Sequence, residues 1–389
     1  MIYLDSAATT RVSAAVCDAM TPYLIEQYAN PGTLYSFGRE AKEVVQNARQ
    51  SVSRLFGCEP EQVVFTSGGS EANSMVFRGI VDHLKGIGKK HVLVSAVEHD
   101  SVIKAASSLI KDGFDVQFVP VTSEGVVSVS VLDGMITDDT GLVSVMYVNN
   151  ETGAVNLVED IGALCIKRGV LFHTDCVQAA GANKIDVVRI GCDFATVSAH
   201  KIHGVKGAGA LYVKDKSKLN SLIYGGEAQE FGLRGGTENV PGIVAMGKAC
   251  EVCCDNIVED IIAVSTMKQR FYMEFFDGMK EHCIEDTIHI NGASPITPGK
   301  ILNLRIDGVD AETLLLMLDT KGVCVSAGSA CRSREIEPSH VLTAMGLSKS
   351  EARSSIRVSF SKMNRIDEVV DAARIFANCV CALRGHTEG

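Results

Sequence analysis

The chain has 389 residues, 46% hydrophobic and 22% charged, which excludes a disordered, collagenous or disulfide-stapled protein and predicts two or three domains with a sizeable buried core. Lys and Arg number 37 against 47 Asp and Glu, a net charge of −10, the wrong sign for a nucleic-acid-binding body or for broad adsorption to an anionic membrane. No run of 18 apolar residues occurs and the chain opens as a strand, Met1-Ile2-Tyr3-Leu4-Asp5, without a basic or apolar leader; the expected address is the cytoplasm.

In chain order, Ala41, Val44, Val45, Ala48, Val52 and Leu55 recur at spacings of three and four and predict a helix. Short apolar runs at 63–65, 91–95, 116–119, 142–149, 170–173, 194–198 and 208–213 are too brief for helices and read as strands. Seven strands alternating with helical stretches predict one α/β sheet, mostly parallel, with helices on both faces. A long helical stretch follows Pro241, and then strands at 301–306, 323–326 and 356–360 among further helices mark a second, smaller α/β domain. The expected division is 13–255 for the large domain, with 1–12 and 256–389 forming the small one. Most of the 13 cysteines lie in apolar periodic segments, as reduced thiols used for packing do. Cys250, Cys253 and Cys254 lack a second Cys or His pair at ligand spacing, so no metal is expected.

In open α/β sheets ligands gather at the carboxyl ends of strands, so the residues after each run are informative. Run 63–65 is followed by Thr66-Ser67-Gly68-Gly69-Ser70-Glu71 and a helix start near Ser70. Glycines and a helix N-terminus suit a phosphate, although a plain capped loop reads equally well. Neither a Walker loop nor Gly-x-Gly-x-x-Gly is present, against nucleotide and nicotinamide ligands. Later strand ends carry Glu98-His99-Asp100, Asn150-Glu151-Thr152 and Asp175-Cys176-Val177-Gln178, each alone a loop with its own hydrogen bonds. Run 194–198 leads into Ala199-His200-Lys201-Ile202-His203-Gly204. A lone lysine there is a surface residue, but a strand-end lysine in a polar crevice can lose its proton and attack a carbonyl carbon. With a phosphate-binding helix start, an aspartate and an imidazole, it completes the set that holds pyridoxal phosphate as a Schiff base.

The motifs "YLDSAATT", "NPGTLYSFG", "VVFTSGGSEAN", "VEHDSV", "VNNETG", "HTDCVQ", "SAHKIHGVKGAGALY", "GLRGGTENVPGIVAMG", "SAGSACRS" and "SSIRVSF" resemble, in order and over nearly the whole chain, the cysteine desulfurases of the NifS/IscS type. These are class-V aminotransferases within the fold-type I pyridoxal phosphate enzymes. The resemblance implies a large, mostly parallel seven-stranded sheet domain with a smaller α/β domain. It implies Lys201 as the Schiff-base lysine, His99 as the imidazole stacked on the cofactor, Asp175 as the pyridinium partner and Gln178 as the partner of the phenolic oxygen. It likewise implies a phosphate held by Gly69, Ser70, Ser198, His200 and Thr237, the last from the partner subunit of a homodimer. Asn150 and Arg357 are implied for the substrate carboxylate, the arginine being suited to a bidentate pair.

Cys331 in "SAGSACRS" is the implied sulfur-accepting nucleophile, in a segment without apolar periodicity. The implied reaction turns L-cysteine into L-alanine, with an enzyme persulfide handed to an acceptor protein for iron–sulfur cluster assembly or tRNA thiolation, without direct nucleic-acid or membrane contact. Rival readings are a selenocysteine lyase or related lyase or aminotransferase, which the long segment from Cys331 to Glu337-Pro338-Ser339 opposes, and a non-catalytic scaffold or sulfur carrier, which Lys201, Asp175 and Cys331 together oppose. The chain departs from the family pattern at Val205 for proline, Tyr35 for histidine, Gly235 for serine, and Glu227-Ala228 for the third glycine of "GGGQE". With the chain ending at Gly389 soon after the last helical stretch, the resemblance leaves the extension by which longer relatives dock a scaffold unexpected here.

Overall fold

The computed structural model describes residues 1–282, 284–327 and 338–385, so Cys331 lies outside the described residues. Its strands are β1 (Ile2–Tyr3), β2 (Val63–Thr66), β3 (His91–Ser95), β4 (Asp115–Val119), β5 (Thr140–Ser144), β6 (Leu171–Asp175), β7 (Phe194–Ser198), β8 (Gly209–Val213), β9 (Ile288–Ile290), β10 (Ile301–Ile306), β11 (Val323–Cys324), β12 (Ser326–Ala327) and β13 (Ser355–Ser359). Seven of them form one sheet in the order β2-β8-β7-β6-β5-β3-β4. Every pairing in it is parallel except those of β8, which runs antiparallel to both β2 and β7.

Both faces of this sheet are apolar because successive side chains of a strand point to opposite sides. Val63, Phe65, Leu93, Val143, Ala195 and Tyr212 enter one buried cluster, with Val45, Val52 and Phe56 of helix Ser36–Phe56 and Ile243 and Met246 of helix Val240–Asp255. Val64, Val92, Val94, Leu142, Phe194 and Leu211 enter the other, with Met75 and Val76 of helix Gly69–Gly79 and Val102 of helix Asp100–Ser107. Each large side chain so buried contributes about 1.5–3 kcal/mol. The two long helices of the first layer approach closely through Gly247, where a Cβ would stand 2.7 Å from the Ala48 Cα.

The smaller sheet, β12-β13-β10-β9, is antiparallel and two-faced. Leu302, Leu304, Ile306, Ile356 and Val358 pack with Phe271, Phe275 and Phe376, whose rings meet at 5.0–6.3 Å. The alternate residues Asn303, Ser355, Arg357 and Ser359 are buried on the polar side, with Asn303 opposite Arg357 in the register. That alternation turns Arg357 away from the apolar core and toward the strand ends of the large sheet.

The apolar run at 142–149 is strand only to Ser144, after which the chain still bonds β6 through Val145 and Tyr147. The run at 323–326 divides at Val325 into β11, paired with β1, and β12, paired with β13. The helical stretch after Pro241 breaks at Asn256 into Val240–Asp255 and Ile257–Glu281. Cys250 and Cys253 of the first helix pack in the apolar cluster. Among the described residues no helix is long and apolar enough to cross a membrane.

Candidate active site

The parallel strands end along one edge of the large sheet, and their carboxyl ends bring the polar segments together. Thr66 of β2 and Ser198 of β7 are both in register with Gly209 of β8, which sets the start of helix Gly69–Gly79 beside Ser198. A Cβ on Gly209 would lie 2.6 Å from the Gly68 Cα, so only glycine lets the loop close there. Gly68, the N-cap of this helix, supplies no side chain to its free amides, and Ser70 beside it is exposed. This leaves the amide end of an 11-residue helix open to an anion.

Asp175 ends β6. Its Oδ2 accepts from Asn73 Nδ2 at 2.9 Å and its Oδ1 from the Val177 N–H at 2.9 Å, two bonds that fix the carboxylate plane. Asn73 also donates to Ser101 Oγ at 2.9 Å. His99, which follows β3, caps helix Asp100–Ser107, its Nδ1 accepting the Ser101 N–H at 3.1 Å and lying 2.8 Å from Ser101 Oγ. The proton of the neutral ring is therefore on Nε2. Burial first, then the nearby Lys201 and His340 charges, hold the imidazole below its usual pKa against the opposing pull of Asp175 and Asp100.

Lys201 stands at the end of the turn after β7, its Nζ 2.5 Å from the Ala7 carbonyl and 2.8 Å from that of Ala8. Burial, then the charges of Lys300 and Arg357, bring its pKa down to about 7, so a large share of the amine is unprotonated near neutrality. The same Ala7 carbonyl accepts from Gln178 Nε2 at 2.9 Å, while Gln178 Oε1 is buried without a partner. His200 lies 3.1 Å from Thr9 Oγ1, and burial and the neighbouring Lys201 lower its pKa to about 4. Arg357 donates from Nη1 to the Asn150 carbonyl and from Nη2 to Asp5 Oδ1, both at 2.8 Å. Its Nε and the Asn150 Oδ1 are buried without partners.

Lys201, His99, Asp175, Gln178, Asn150, Ser198, His200, Gly69, Ser70 and Arg357 thus occupy one edge. Thr237 is not brought into this network within the single chain: it is exposed before helix Val240–Asp255 and makes no side-chain hydrogen bond among the described residues. Cys331 lies outside the described residues, but both flanks of its segment reach the site. Ser326 is in register with Arg357, and Ser339 donates to Glu151 Oε2 at 2.5 Å.

The sequence reading passed over Asp5, Asn73, Ser101 and Lys300. Asn73 carried a signal, one helical turn beyond Gly69, whereas Asp5 meets Arg357 across 352 positions with no local signal.

The Aminotransferase class-V family matches residues 2–371. The curated cysteine desulfurase IscS of Clostridium botulinum (strain Hall) is 40% identical over 371 residues, 95% of this chain and 91% of that protein. The chain belongs to the cysteine desulfurases of the class-V aminotransferase family. Among solved structures, a NifS-like protein superimposes with a TM-score of 0.88 at 31% identity, covering 98% of this chain and 99% of its own. A protein described as SspA in complex with cysteine matches at a TM-score of 0.79 and 31% identity, over 94% and 100% of the two chains.

The family is pyridoxal phosphate-dependent, and the residues present fit such a group. An open helix end suits its phosphate, a lysine with a lowered pKa its aldehyde, a hydrogen-bonded carboxylate its ring nitrogen and an imidazole its face. Gln178 offers an unpartnered acceptor, Oε1; presenting Nε2 to an anionic ring oxygen requires the amide to release Ala7.

Proposed function

We propose that this desulfurase binds pyridoxal 5'-phosphate through Lys201 and converts L-cysteine into L-alanine, keeping the sulfur as a persulfide on Cys331 for an acceptor protein. The observation that carries this reading is the half-buried Lys201 amine, its pKa lowered to about 7, at the sheet edge where Asp175 ends β6, His99 follows β3 and Arg357 comes in from β13.

The roles follow from chemistry. Asp175, fixed by Asn73 and Val177, is aimed to hold a proton on the ring nitrogen. Gly69, Ser70, Ser198 and His200 hold the phosphate at the helix end, and Gln178 addresses the phenolic oxygen. Arg357 binds the substrate carboxylate with guanidinium N–H groups once Asp5 yields part of the fork, and Asn150 adds a donor only by presenting Nδ2, since its unpartnered Oδ1 accepts. When bound, the cofactor accepts the electron pair left on the substrate's α-carbon. The Lys201 amine, unprotonated above about pH 7, takes the α-proton, and His99 can hold a proton at Nε2. The Cys331 thiolate bonds to the substrate sulfur as the carbon–sulfur bond breaks; that bond's electron pair stays with the substrate's Cβ, which takes up a proton, so the sulfur ends as a persulfide and the substrate as alanine without an external oxidant.

The acceptor belongs to iron–sulfur cluster assembly or to a thiolation system in the cytoplasm. The working unit is a homodimer: Leu34 and Tyr224, both 89% exposed, with Ile25, Tyr28 and Tyr35, leave large apolar side chains uncovered in segments 25–35 and near 224. Thr237, some residues beyond Tyr224, would then reach the partner's phosphate. Residues 13–255 form the large domain and 1–12 with 256–389 the small one carrying Cys331, a division supported by Val16 packing in the first apolar cluster and Leu4 with Phe271 in the second.

Single turnover of purified, loaded protein with L-cysteine and no reductant, read by peptide mass spectrometry, tests the reading. Expected is one extra sulfur on Cys331 with an equal amount of alanine, both lost in Cys331→Ser. Undiminished alanine from Cys331→Ser overturns the nucleophile assignment, and turnover of selenocysteine alone favours the lyase.

A further inference from the structure

Lys201, His203, Cys253, Lys300 and Lys362 border a cavity of about 30 Å³. Lys300 immediately precedes β10 and is only 7% exposed. Its Nζ points at the backbone carbonyl of Lys201, 3.5 Å away. Among the described residues no carboxylate lies within ion-pair reach of it: the acid bordering the same cavity, Asp260, is engaged by Lys362 at 2.5 Å. A buried ammonium without a counter-ion is costly, and this one stands against the residue whose amine has to be unprotonated.

We propose that Lys300 is a positioning residue for the desulfurase reaction, a fixed positive charge beside Lys201 that keeps the Lys201 nitrogen in its unprotonated, nucleophilic form at neutral pH. The inference rests on the reading of Lys201 as the cofactor lysine. The charges facing Lys201 divide by element: Asp5 from the N-terminal segment and Asp175 from β6 favour its protonated form, whereas Arg357 from β13 and Lys300 oppose it. Lys300 in turn faces Cys253 of helix Val240–Asp255, Lys268 and Asp260 of helix Ile257–Glu281, and His203 and Lys362 from the loops. Burial first lowers the Lys300 pKa to about 8, with Cys253 favouring its charge and Arg357 opposing it. Arg357 is already bound to Asp5, which leaves Lys300 as the nearby cation free to act without a counter-charge of its own.

The test uses cofactor-free protein, in which Lys201 labelling by acetic anhydride is followed across pH by peptide mass spectrometry. Lys300→Met and Lys300→Gln are expected to raise the midpoint of Lys201 reactivity by about one pH unit, the order of effect of one nearby charge removed in a medium of intermediate dielectric. Lys300→Arg restores it. The visible absorbance of the loaded enzyme, titrated with pH, shifts in the same direction. An unchanged or lowered midpoint in variants with wild-type melting behaviour overturns the proposal; loss of packing alone would lower stability in all three variants and leave the midpoint in place. Because labelling needs no cofactor, protein that takes up no pyridoxal phosphate defeats the proposed function, while the Lys300 result is still decided by its own midpoint.

Discussion

Two buried arginine–carboxylate pairs in this chain are built to different standards, and the difference separates structure from function. Arg49 and Glu230 are both 4% exposed and meet through two parallel bonds, Nη1 to Oε2 at 2.9 Å and Nη2 to Oε1 at 2.7 Å. Glu230 also accepts the Phe65 N–H at 2.7 Å, Arg49 donates to the Val63 carbonyl at 2.7 Å, and the guanidinium lies 4.7 and 5.1 Å from the ring centroids of Phe65 and Phe231. Arg357 and Asp5 share one bond, the second nitrogen going to a backbone carbonyl, and Asp5 is partly open to solvent. Nε lacks a partner in both arginines. Arg49 nevertheless has both ends of its fork committed to one carboxylate, while Arg357 holds its acid by one arm and faces the strand-end crevice. A closed fork buttresses a fold; a half-engaged one is available to a ligand carboxylate.

The sharpest break of the comparison is Arg49→Met. It leaves Glu230 buried and uncompensated against β2, in a loop where Glu230 and Phe231 already hold positive φ of 41° and 59°. The expected cost is about 3–5 kcal/mol, read from urea unfolding at neutral pH, with cysteine turnover per folded molecule unchanged. Pairing it with Glu230→Leu should recover most of the loss, since the penalty comes from the stranded charge more than from the missing attraction. A loss under about 1 kcal/mol in the single variant would show that this pair, too, is only loosely engaged.

Arg357→Met should invert the pattern. Charge-assisted bonds of this kind contribute about 1.5–3 kcal/mol each, so kcat/KM for cysteine is expected to fall roughly tenfold to a hundredfold, chiefly through KM. Unfolding free energy should fall by less than for Arg49→Met, because Asp5 is partly open to solvent and Glu230 is not. Equal KM values in variant and parent would remove Arg357 from substrate binding.

The same contrast explains what could be read in advance. The seven strands of the large sheet were legible because they rest on local periodicity: alternation along β2, β3 and β7 feeds two cores at once. Lys201, Asp175 and His99 stood out because strand ends in an α/β sheet converge, so their neighbours could be named without knowing any distance. Asp5 and Lys300 escaped because each matters through one non-local contact, to Arg357 on β13 and to the Lys201 carbonyl. β9 escaped too, since Ile288–Ile290 is short and only half-buried, held by β10 on one side rather than by its own pattern. Val325 is a smaller case: a continuous apolar run conceals a change of pairing partner that only the fold decides.

The finest test of the half-engaged fork is Asp5→Asn. The substitution keeps the size of the side chain and its contact with Arg357 as a neutral hydrogen bond, while removing the charge that competes with a substrate carboxylate for the same Nη2. Releasing that competition should lower KM for cysteine by a few-fold, about 0.5–1 kcal/mol, the difference between a charged and a neutral partner. Asp5 also favours the protonated form of Lys201, so its neutralisation moves the Lys201 midpoint slightly downward, the opposite sense to Lys300→Met. A raised KM with an unmoved midpoint would mean that Asp5 aims the guanidinium rather than competing for it, and Arg357–Asp5 would then belong with Arg49–Glu230 as a structural pair.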